Sequence, residues 1–158
     1  MKKSLILCTV AVCGLALLSG SAATAADNWV GTWNLNVTKS KFKPGPALKS
    51  QTLKFESTAD GIKLTGDSVD VDGKAMHTEY VSKFDGTDVP WSGNPNADTA
   101  MPKRMDANHY RNVWKKNGKA TITADVMVSK DGKTLTVTQT GKDAKGRVMD
   151  TVEVFDKQ

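Results

Sequence analysis

Few side chains in this 158-residue chain are placed for chemistry, and their spacing narrows what they can do. His77 and Glu79 stand two apart, which on a strand puts both on one face and could supply two ligands to a metal ion. The other face of that stretch carries Met76, Thr78, Tyr80, Ser82 and Phe84 and is the better candidate for the buried side, so His77 and Glu79 are expected as a surface pair. The only other histidine, His109, alternates with Arg111 against Tyr110, Asn112 and Trp114, and no third ligand lies at a useful spacing. No nucleophile elbow and no glycine-rich phosphate loop can be found. The expectation is a protein with no catalytic residues, no metal site and no cofactor.

The N-terminus reads as an address. Lys2 and Lys3 precede an apolar run from Leu5 to Leu18, and small residues end in Ala23-Thr24-Ala25, the pattern of a signal peptide cleaved after Ala25. The second half of that run is Ser, Gly, Thr and Ala with no basic stop-transfer cluster behind it, so removal is expected and no stable membrane anchor. Cys8 and Cys13 would leave with it, and a lipid-modified Cys13 is disfavoured by Val12 before it. Residues 26–158 then form one domain without thiols, which excludes disulfides, zinc–thiolate sites and a cysteine nucleophile. The short Lys-Lys start suits a bacterial exported protein, periplasmic or secreted. Asn36-Val37-Thr38 matches a glycosylation sequon, a chance match in such a protein.

Losing Lys2 and Lys3 lowers the formal net charge from +5 to +3, too little to point to nucleic acid. Lys39, Lys41, Lys43, Lys49 and Lys54 crowd one stretch, which reads as a solvated face or as a patch for anionic head groups.

The elements that must position these residues are strands. Trp29, Gly31, Trp33, Leu35 and Val37 alternate with Val30, Thr32, Asn34 and Asn36, so one face is apolar and the other mostly polar. Turn signals follow at short intervals, among them Asp60-Gly61, Asp72-Gly73, Asp85-Gly86, Asn117-Gly118 and Asp131-Gly132. Between them strands are expected near 29–37, 49–58, 61–70, 74–84, 87–92, 99–106, 109–116, 119–129, 133–141 and 147–156. The fold class is all-β, an up-and-down antiparallel β-barrel of about eight to ten strands, since closing is how a meander of this length escapes exposed edges. A two-sheet sandwich is the rival, disfavoured by uniformly short hairpins.

Gly31-Thr32-Trp33 resembles the Gly-x-Trp opening of the calycins, the lipocalin and fatty-acid-binding group. With Lys39-Ser40-Lys41-Phe42-Lys43-Pro44-Gly45-Pro46, Gly93 to Thr99 and Ser129 to Gly141, the chain is similar to small exported bacterial proteins with a lipocalin-like barrel. The resemblance implies that Gly31 and Trp33 are structural anchors at the closed end, with a cation such as Lys157 or Arg111 over the Trp33 ring. In fatty-acid-binding proteins the last strand carries Arg-x-Tyr to clamp a carboxylate. Here the matching residues are Glu153-Val154-Phe155, which would repel one. Both faces of that last strand are mixed, so its inward side stays open.

Two functions remain. One is a carrier or sensor of a small apolar or amphipathic molecule, held in the barrel interior by Met76, Tyr80, Phe84, Tyr110, Asn112 and Trp114. Entry would lie between the Lys39 to Leu48 segment and the Val89 to Pro102 loop. The other is a protein-interaction module, such as a protease inhibitor, acting through that second loop if it projects; its Trp91 also reads as a hinge packed on the barrel rim. An interior filled by its own side chains is equally compatible with the pattern.

Overall fold

A computed structural model describes residues 27–158, so the expected signal peptide and its cleavage site lie outside the described residues. The strands are β1 (Gly31–Leu35), β2 (Ser50–Thr58), β3 (Gly61–Val69), β4 (Ala75–Ser82), β5 (Val89–Pro90), β6 (Thr99–Arg104), β7 (His109–Lys116), β8 (Lys119–Val128), β9 (Thr134–Lys142) and β10 (Val148–Lys157). They form one antiparallel sheet in the order β4-β3-β2-β1-β10-β9-β8-β7-β6-β5. Chain neighbours are sheet neighbours, and β1 joins the first strand pair to the last. The free sides of β4 and the β5 region meet through Glu79 and Ser92, which exchange N–H···O bonds of 3.2 and 3.1 Å. The result is the expected up-and-down barrel, closed except for this thin seam.

The first strand is shorter than its alternation suggests. Trp29 sits in a turn in which the Val30 N–H reaches the Asp27 carbonyl at 2.9 Å. At the other end Val37 opens a single 3-10 turn, Val37–Lys39, because Asn36 caps it by accepting from the Lys39 N–H, and Val37 is left exposed. Beyond this turn the chain continues along β10 where β1 has ended. Lys41 and Val152 exchange bonds of 2.7 and 2.8 Å, and the Asp150 N–H donates to the Lys43 carbonyl.

The two ends of the barrel differ. At the end holding the β2–β3, β6–β7 and β8–β9 turns, an aromatic plug fills the interior. Trp29 stacks on Phe84 at 5.7 Å, and Tyr110 packs edge-on against Trp29, Phe84 and Phe55 at 5.3, 4.7 and 6.1 Å. Trp33 is fully buried, donates its indole N–H to the Trp29 carbonyl at 2.8 Å, and carries the Lys157 ammonium 4.9 Å over its ring. Gly31 makes room for that lysine: its φ is +133°, and a Cβ there would come within 3.1 Å of the lysine stem. A second cation, the Arg104 guanidinium, lies 5.2 Å from the Trp29 ring centre and is held there by Asp27.

Candidate functional site

At the opposite end the barrel is open. The Pro44 to Leu48 segment, the β3–β4 turn, the loop from Trp91 to Asp98 and the β9–β10 turn surround a cleft of about 960 Å³. Below it lies an interior cavity of about 60 Å³, enough for a few waters. Trp91 lines both.

The loop that carries Trp91 folds inward rather than projecting, so that Trp91 packs on the barrel rim, the alternative to a free interaction loop. The Trp91 N–H bonds the Asp98 carbonyl, and the Asp98 N–H bonds the Lys115 carbonyl, both at 2.9 Å. Asn96 accepts from the Ala144 N–H at 3.0 Å and from the Thr121 hydroxyl through its carbonyl at 3.2 Å, fastening the loop to the β9–β10 turn and to β8. Gly93 permits the close crossing over β4: its φ is +74°, and a Cβ there would collide with the His77 carbonyl oxygen. Trp91 is thereby buried against Tyr80 at 5.2 Å and Trp114 at 4.9 Å.

Strand alternation builds the cavity. Gln51 and Leu53 come from β2, Leu64 from β3, Thr78 from β4, Tyr110, Asn112 and Trp114 from β7, and Gln139 and Glu153 from β9 and β10. Glu153 opposes Val137, which makes Gln139 its diagonal neighbour, and the Gln139 amide donates to the carboxyl at 2.9 Å. Burial without any cation pushes the Glu153 carboxyl up to about 7, against the weaker opposing pull of that amide. Three other residues lining this space carry a buried polar side-chain atom with no partner among the described residues: the Gln51 side-chain amide oxygen and the indole nitrogens of Trp91 and Trp114. Tyr80 and Tyr110 are held well above their ordinary values by burial and stay neutral.

Of the residues expected to line the interior, Tyr110, Asn112 and Trp114 border the cavity, and Tyr80 backs it through the Asn112 amide at 3.5 Å. One placement needs correction, and one residue lies inside the barrel but away from the cavity. Met76 faces the open cleft and is exposed, because β4 runs past the closed part of the barrel there. Phe84 belongs to the plug at the far end, where the chain has left β4 and takes φ +58°. The lysine cluster is a surface feature: Lys39, Lys43 and Lys54 pair with Asp156, Asp150 and Glu56, and none of the five lines the cleft.

Both histidines face outward. His77 bonds Asp67 at 2.6 Å, which raises its pKa, while Lys63 pairs with Glu79 at 2.7 Å. His109 and Arg111 both bond Asp125, at 3.0 and 2.9 Å. Trp91, Gln51 and Glu153 are lining residues that alternation alone does not pick out. The register of Leu35 opposite Phe155 puts Phe155, and with it Glu153 and Thr151, inside.

No protein-family model and no curated protein matches the sequence. Among solved structures, the chain is similar to zebrafish ileal bile acid-binding protein complexed with cholic acid. The TM-score is 0.48 at 10% identity, over 83% of this chain and 99% of that one.

Proposed function

We propose that the protein binds a small amphipathic molecule in the cleft at the barrel mouth, without catalysis. The observation that carries this reading is the two-storey arrangement at one end. A cleft of about 960 Å³ has as part of its wall a buried tryptophan that also borders a cavity with unpartnered polar atoms. Ligand sites commonly measure about 300 to 1,000 Å³ and combine apolar walls with a few fixed polar groups. Leu48, Met76, Trp91, Ala97 and Met149 supply apolar wall here, and charged side chains of both signs, among them Asp70, Lys74, Lys116, Asp143 and Arg147, surround it. At about 60 Å³ the inner cavity is too small for a whole guest but suited to one polar group of it.

Export to the periplasm or the medium is part of the same proposal. It is supported by Lys2, Lys3, the Leu5 to Leu18 run and Ala23-Thr24-Ala25. N-terminal sequencing of the protein recovered outside the cytoplasm should begin at Ala26.

Binding is tested by titrating the purified protein with decanol while following tryptophan emission. Saturable change that weakens in Trp91→Ala is expected. A linear, unsaturable response from decanol and from longer and shorter chain alcohols would overturn the binding reading.

A further inference from the structure

The inner cavity has a polarity that the cleft alone does not explain. Glu153 is buried at its wall, and the one bond to its carboxyl among the described residues comes from Gln139. Among the described residues no other charged side chain lines the space, whose polar members besides Glu153 are Gln51, Thr78, Asn112 and Gln139 with Tyr110 and the two tryptophans. An ionised carboxylate is acceptor-only and can take several donors, so most of its capacity is unused. The side-chain amide oxygen of Gln51, which lines the same space, is a second acceptor without a donor among the described residues. Three aromatic side chains, Trp91, Tyr110 and Trp114, border the same cavity. A buried acid without a counter-charge lowers stability, and sites of function are where proteins carry such costs.

We propose that the cavity receives the primary ammonium end of an amphipathic amine, with the Glu153 carboxylate as its counter-charge and the apolar part of the ligand in the mouth cleft. This rests on the reading of the mouth as a ligand site and names its ligand class. An ammonium offers three donors and fits a space the size of a few waters. Its entry also removes the burial penalty on the carboxylate, so binding expels the proton from Glu153 and strengthens as pH rises through about 7. His77, at the rim, also has a raised pKa, through its bond to Asp67. A Glu153 variant therefore separates the two titrations.

The test compares decylamine, decanol and decanoate, which share one chain length, on the wild-type protein and on Glu153→Gln. The purified protein is titrated at about pH 6 and about pH 8, where the amine stays charged. Decylamine is expected to bind about tenfold or more tightly than decanol at the higher pH, decanoate most weakly, with the amine preference shrinking at the lower pH. Glu153→Gln should erase both the preference and its pH dependence. If decanol saturates but decylamine binds no better to the wild-type protein, the amine assignment is wrong and the mouth remains a ligand site. The amine assignment also fails if Glu153→Gln, shown folded by an unchanged circular dichroism spectrum, keeps the preference. If none of the three saturates, the binding reading itself fails.

Discussion

The two ends of this barrel use tryptophan in opposite ways. At the closed end Trp33 has its indole N–H bonded to the Trp29 carbonyl and a lysine over its ring, beside a plug of four aromatic side chains, Trp29, Phe55, Phe84 and Tyr110. At the open end Trp91 and Trp114 meet edge-on, and among the described residues both indole nitrogens are unpartnered and the nearby Glu153 carboxyl has no cation. One end is organised for packing. The other leaves polar capacity in a place where unmet hydrogen bonds cost free energy. Trp29 shows that the division is not absolute, since its own indole nitrogen is also unpartnered.

The largest difference between the two ends is expected at Trp33. Trp33→Ala empties a fully buried site and should cost about 3 to 5 kcal/mol, read as a lower urea midpoint. Trp91→Ala should cost about 1 to 2 kcal/mol, because its neighbours already border open space and a cleft, while its effect on ligand titrations should be the larger one. Equal midpoints for the two variants would mean that the ends are not energetically distinct.

Glu153 sharpens the contrast from the electrostatic side. Burial raises its folded-state value from 4.5 to about 7, so between those values the folded protein keeps a proton that the unfolded chain has released. The contribution to stability is full below about pH 4.5 and is lost as pH rises to about 7, a decline of about 3 kcal/mol at most. Glu153→Gln removes the charge and should melt several degrees above wild type at pH 8, with the two curves converging near pH 4. Parallel curves across that range would show that Glu153 is solvated or paired.

Strand positions were legible because period-two alternation and Asp-Gly or Asn-Gly turns are local signals. β7 spans residues 109–116 as alternation places them, and Lys157 lies over Trp33 as the resemblance implied. The open end was less legible for two physical reasons. Valine favours strands whichever way it faces, so Val148, Val152 and Val154 on the outer side of β10 hid the inward parity of Glu153. The inward fold of the Trp91 loop depends on long-range bonds to Lys115, Thr121 and Ala144, and on the space that Gly93 leaves over His77, none of which a local pattern contains. Phe84 misled in the same way. Its parity is right, but the chain turns with positive φ at that residue and delivers it to the plug instead of the cavity.

The smallest expected effect lies at the closed end, where Lys157 and Arg104 each cover a tryptophan. The stabilisation by Lys157 is that of a cation over an aromatic face near the surface, about 0.5 to 1 kcal/mol, and it falls little with salt because the ring carries no net charge. Arg104 differs in being tied to Asp27 as well, so part of its contribution is an ion pair that salt screens. Lys157→Gln should therefore lower the urea midpoint slightly and by the same amount at low and high ionic strength, whereas Arg104→Gln should matter less as salt is added. If Lys157→Gln leaves the midpoint unchanged at every salt concentration, the lysine only shields the ring from water. The small space kept by Gly31 would then serve the left-handed backbone at that position alone.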